Sequence, residues 1–156
     1  MRKHRAEKRN IEPDRQYNSL LIAKMINAFI LRGKKTTAER IVYGALDSLK
    51  ERTHEDNITK VFNKALDNVR PRVELKPRRV GGATYQIPIE VLAPRGNSLA
   101  IRWIRDFARK KKGKPMMMKL ADELLAAYKG EGPAIKKRDE THKMAEANKA
   151  FAHLRW

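Results

Sequence analysis

Apolar residues recur at helical spacing through most of the chain. The first such run predicts a helix from about Tyr17 to Leu31, with Leu21, Met25 and Phe29, and Ile22, Ile26 and Ile30, at four-residue intervals. Arg32 to Lys35 reads as a loop, and Thr36 with Glu39 forms a capping-box pattern that opens a second helix. Its stripe is Ala38, Ile41, Val42, Ala45, Leu46 and Leu49. Asn57 caps a third helix, striped by Ile58, Val61, Phe62, Ala65, Leu66 and Val69 and ended by Arg70-Pro71. A fourth covers roughly Leu99 to Lys111, with Gly113 marking its end. Pro115 starts a fifth at the first helical position and Gly130 stops it. A sixth follows Pro133, with Met144, Ala147, Phe151 and Leu154 on one side.

Between the third and fourth helices the period changes to two. Val73 and Leu75 alternate with Glu74, Lys76 and Arg78; Tyr85, Ile87, Ile89 and Val91 alternate with Thr84, Gln86, Pro88 and Glu90. Gly81-Gly82 marks the reversal, so the segment reads as a basic hairpin. A two-residue turn pairs Val73 with Glu90 and Leu75 with Pro88, placing the two apolar rows on opposite faces. A three-residue turn, Gly81 to Ala83, pairs Val73 with Val91, Leu75 with Ile89 and Pro77 with Ile87. The rows then coincide, which favours the odd-length loop. That register sets Arg79 beside Tyr85 as a cation–π pair and opposes Glu74 to Glu90. The fold class is therefore mainly α: a bundle of about six helices with one protruding two-stranded β-hairpin.

On a wheel of the fourth helix, Ala100, Trp103, Ile104 and Phe107 share one side, which makes Trp103 a core residue. Arg102, Arg105 and Arg109 share the other, and Lys110, Lys111, Lys112 and Lys114 continue the row. Residues before Asp14 form a basic arm with almost no apolar content: Arg2, Lys3, Arg5, Lys8 and Arg9. Over the 156 residues, 36 lysines and arginines face 18 aspartates and glutamates, a formal charge of +18. Such a charge repels itself in the free protein and asks for a polyanionic partner. Nucleic acid is favoured over membrane, because no apolar run is long enough to span a bilayer. There is no cysteine, hence no disulfide framework. The basic start lacks the apolar stretch of a signal peptide, so a cytoplasmic location is expected.

Catalytic and metal chemistry find no support. Gly33-Lys34-Lys35-Thr36 echoes a phosphate-binding loop but lacks the earlier glycine and the preceding strand. His4, His54, His142 and His153 have no metal-ligand spacing. The expectation is a non-enzyme with no cofactor and no metal. Trp156 stays open between packing and base stacking. Two binding classes compete: a protein of folded RNA, and an architectural DNA-binding protein with a basic β-ribbon.

The whole chain resembles small-subunit ribosomal protein seven of the bacterial and organellar type. The stretches that carry the resemblance are Gly33-Lys34-Lys35, Ala65 to Pro71, Arg78 to Gln86, Ala100 to Trp103 and Met144 to His153. It implies a single rRNA-binding domain over 1–156, with an arm at 1–13 and a ribbon at 72–91. The implied role is that of a primary rRNA binder that nucleates the head of the small subunit and lies near exit-site tRNA and mRNA. By carry-over, Arg2, Lys3, Arg5, Lys8, Arg9, Lys34, Lys35, Arg95, Arg102, Arg105, Arg109, Lys110 and Lys114 meet 16S-type rRNA. Lys76, Arg78, Arg79 and Tyr85 lie near tRNA and mRNA. The end of the chain, Asn148 to Trp156, lies near neighbouring ribosomal proteins, nine and eleven by resemblance. No membrane and no homo-oligomer is expected, and the location is the cytoplasmic ribosome.

Overall fold

The computed structural model describes residues 9–154; Arg2, Lys3, Arg5, Lys8 and Trp156 lie outside them. Six α-helices occur among the described residues. They are α1 Leu20–Phe29, α2 Lys35–Thr53, α3 Ile58–Val69, α4 Ala93–Lys110, α5 Met116–Lys129 and α6 Pro133–Ala147, followed by a 3-10 segment, Lys149–Leu154. β1 Val73–Val80 and β2 Ala83–Glu90 form one antiparallel ribbon between α3 and α4. α5 runs through the middle and packs on α2, α3 and α4. The core is where stripe residues of the first four helices, Met25, Leu46, Phe62, Leu66 and Ile104, meet Leu120 and Leu124 of α5, all fully buried. Each such side chain contributes about 1.5–3 kcal/mol of transfer free energy.

Helix ends depart from the pattern where backbone chemistry overrides it. α1 begins only at Leu20, because Asn18 takes a left-handed φ of 47°, and Ile30 leaves it in an extended conformation. The Thr36/Glu39 capping box does not form: α2 starts at Lys35 and no side chain caps it. Asn57 does cap α3, accepting the Lys60 N–H at 3.2 Å. α4 begins six residues earlier than the stripe suggests. Pro94 sits in its first turn, where a missing N–H costs nothing, and the Arg95 and Gly96 N–H groups both reach Leu92 O at 2.9 Å. Gly96 is buried against Arg70, whose Cγ would lie 2.8 Å from any Cβ there. Pro115 is the residue before α5, not its first residue. On α6 the expected Met144 side fails: Met144 is 44% exposed, while Ala134, Ile135, Thr141 and Ala145 face the core.

The ribbon takes the two-residue turn. Gly81 and Gly82 both have positive φ, 56° and 89°, as a tight turn matched to strand twist requires. Val73 therefore pairs with Glu90, Leu75 with Pro88, Arg78 with Tyr85 and Arg79 with Thr84. The three-residue register is overturned, and with it the Arg79–Tyr85 and Glu74–Glu90 pairings. The apolar rows do not need to coincide, because the Tyr85 and Ile87 face has its own cover. The C-terminal segment packs on β2, with the Phe151 ring 5.0 Å from that of Tyr85, and Ile87 is buried. Glu74 turns instead to Arg95, 3.2 Å away. Trp103 is not in the core but half-buried on its flank.

Candidate nucleic-acid interface

The early start of α4 adds a member to its basic face. Arg95 lies seven residues before Arg102, two helical turns, so it stands in line with Arg102 and Arg109. The row Arg95, Arg102, Arg105, Arg109 runs from the first turn of α4 to its last, about 21 Å of helix. It faces away from Ala100, Ile101, Ile104 and Ala108, which are buried. Arg102 and Arg109 are exposed. Arg105 is held more closely: its guanidinium binds Asp106 at 2.8 Å and donates to Ala28 O at 3.4 Å. The Arg109 guanidinium lies 5.8 Å from the centroid of the Phe29 ring. Both contacts seat the row against the C-terminal end of α1, where the carbonyl dipoles favour cations. Directly after that end comes the exposed loop with Arg32 and Lys34, and exposed Lys35 opens α2 beside it. Arg32, absent from the sequence-derived set, joins this surface because it shares the loop.

The lysines at the end of α4 and just past it divide into two groups. Lys110 is exposed, its Nζ 5.1 Å from the Phe107 centroid. Lys111 turns inward, its Nζ 2.7 Å from Oε2 of buried Glu123. Lys114 is bound to Asp122 at 2.9 Å, beside Arg52 at 2.5 Å from the same carboxylate. The hydrogen bond from Arg52, with help from Lys114, holds the Asp122 carboxyl below the usual range against the opposing effect of burial. Lys114 thus meets a polyanion only in competition with Asp122.

At the ribbon, Lys76 and Arg79 are exposed, whereas Arg78 and Tyr85 are half-buried. The contact with Phe151 makes Tyr85 part of the ribbon's packing. At the ribbon's root, Arg72 N donates to His142 Nε2 at 3.0 Å, and the Arg138 guanidinium donates to Asn68 O, tying α6 to α3 and β1. Burial first, then the charge of Arg138, lowers the pKa of His142.

The base of the arm is fixed by one carboxylate. Asp14 is 6% exposed; it accepts the N–H of Gln16 at 3.1 Å, the N–H of Tyr17 at 2.9 Å and the Tyr43 hydroxyl. Tyr17 in turn donates to Asp47 at 3.2 Å. Of the arm cations only Arg9 is described, and it is exposed. Sequence alone gives no sign of the Asp14–Tyr43 contact, because 29 residues separate the partners.

Among the described residues no group of histidines and acids is placed to hold a metal, and no helix is long and apolar enough to cross a membrane. The model of the family described as ribosomal protein S7p/S5e matches residues 1–149. The small ribosomal subunit protein uS7 of Fervidobacterium nodosum is 58% identical over 156 residues, the whole of both chains. That of Thermotoga maritima is likewise 58% identical over both full lengths. The Francisella tularensis subsp. holarctica protein of the same name is 56% identical over 155 residues, 99% of each chain.

Proposed function

Because the chain belongs to the ribosomal protein S7p/S5e family, and is thus a structural component of the small ribosomal subunit, we propose that it binds small-subunit rRNA directly through the α4 arginine row and nucleates folding of the head. Family membership carries the coarser statements: a structural protein of the cytoplasmic ribosome whose partners are ribosomal RNA and ribosomal proteins. The finer reading draws its support from one arrangement. Arg95, Arg102, Arg105 and Arg109 form a row about 21 Å long, seated beside the basic loop that follows α1. A folded RNA presents phosphates on several sides, and a row of this kind meets several at once.

The arm cations, Arg2, Lys3, Arg5, Lys8 and Arg9, bind the same rRNA in this reading. The ribbon acts apart from it, with Arg79, exposed near its tip, and Arg78 reaching toward exit-site tRNA and mRNA. The C-terminal segment, already packed on β2, lies beside neighbouring ribosomal proteins, nine and eleven. The chain acts as one domain over 1–156, with 1–13 as arm and 72–91 as ribbon.

The test compares affinity for a transcript of the small-subunit head domain with affinity for duplex DNA at the same moderate salt. The rRNA reading predicts a large preference for the transcript. Equal binding would favour an architectural DNA-binding role instead.

A further inference from the structure

A cleft of about 410 Å³ lies where the arm root crosses α1 and α2. We propose that it receives a single unstacked nucleobase of the bound RNA. The inference rests on the rRNA-binding reading above and names a contact that phosphate recognition alone does not supply.

The cleft is within the size range of small-molecule sites, roughly 300–1,000 Å³. Its apolar side is formed by Ala23 and Ile26, and Tyr43 adds an aromatic ring. That ring is not free to swing, because its hydroxyl is held by Asp14, itself tied to the backbone of Gln16 and Tyr17. Asn10 and Asn27, both exposed, supply side-chain amides, donor and acceptor together, suited to a base edge. The charges lining the cleft balance: Arg9, Arg15 and Lys35 stand against Glu12, Asp14 and Glu39. Lys35 and Glu39 are 3.9 Å apart. A cleft with no net charge, on a chain of formal charge +18, is a poor phosphate trap. It is a suitable seat for a neutral, flat, polar-edged group whose phosphates stay outside, near Lys34 and the arm. Sequence-specific RNA recognition commonly works this way, with splayed bases held on aromatic or apolar surfaces and read at their edges.

The experiment measures binding of the full chain to a head-domain rRNA transcript across a salt series. Asn27→Trp fills the mouth from the exposed side of α1, and Asn27→Ala leaves it open. The proposal predicts that Asn27→Trp weakens binding by about 5- to 150-fold, the loss of one stacked base, with an unchanged salt slope. Asn27→Ala should lose much less. Asn10→Trp, on the arm root outside the core, blocks the same mouth and must reproduce the effect if Asn27→Trp disturbs α1. Unchanged affinity in both tryptophan variants overturns the proposal, as does a loss accompanied by a shallower slope, which marks a phosphate contact. If the unsubstituted chain binds duplex DNA as well as the transcript, it is the rRNA reading that fails.

Discussion

The Nζ of Lys111, just past α4, lies 2.7 Å from Oε2 of Glu123, whose side chain is almost wholly buried in α5. The other carboxylate oxygen accepts the Ala134 N–H at 3.4 Å, in the first turn of α6. One carboxylate in the middle of α5 therefore joins the end of α4 to the start of α6. Gly132, the residue before α6, has no side chain to cap it, and Glu123 takes that part from another helix.

Removing the cation leaves a buried charge unpaired. Lys111→Met should therefore lower stability by about 3 kcal/mol, the low end for broken buried pairs because the lysine is partly exposed. Glu123→Gln keeps an acceptor for Ala134 and should cost less. Urea denaturation of both variants checks the order; a neutral Lys111→Met would show that the pair does not hold these helices.

The tyrosines at the arm root should govern alkaline stability. Burial first, and then Asp47, push the Tyr17 phenol up to about 12, and burial with the Asp14 hydrogen bond raises Tyr43 as well. A phenol whose pKa rises on folding contributes stability that is complete below its unfolded value near 10 and lost as pH climbs through the folded value. Tyr17→Phe and Tyr43→Phe should each flatten the fall in melting temperature above pH 10. Tyr43→Phe should also cost about 1–3 kcal/mol at neutral pH, since it strips a donor from buried Asp14. Identical alkaline profiles in the variants and the parent would contradict this.

His142 should work in the opposite sense. Its Nε2 accepts the Arg72 N–H, so only the neutral ring holds the ribbon's root. With a pKa lowered on folding, its contribution is complete above about 6.5 and lost as pH falls through the folded value. Hydrogen exchange at the Arg72 amide should show protection that declines on acidification and is missing in His142→Ala. Protection independent of pH would disprove the role.

The stripes of α1, α2 and α3 were legible because burial on one face repeats with the helix period, and the core takes most of their residues, whereas the α6 stripe and Trp103 of α4 fall outside it. Asn57 was legible as a cap because its partner is three residues away. What escaped has a different physical origin. The hairpin register is set by two glycines at positive φ and by cover from Phe151, 66 residues beyond Tyr85, and not by aligning the apolar rows. The start of α4 was hidden by Pro94 and Gly96, which read as loop but serve as first turn and close contact. The same two residues concealed the alignment of Arg95 with Arg102. Within the basic set, composition could not separate Lys110, which is exposed, from Lys111 and Lys114, which are tied to Glu123 and Asp122.

The salt dependence of rRNA binding tests the central claim most directly. Arg102→Gln/Arg109→Gln removes two exposed cations from the α4 row without touching the Arg105 contacts to Ala28 and Asp106. Circular dichroism and melting should stay close to those of the parent. On a head-domain rRNA transcript, affinity should fall, and the log–log salt slope should become shallower by about 0.7–0.9 for each arginine that neutralises a phosphate. An unchanged slope in a folded double variant would contradict the claim that this row is an rRNA-binding surface.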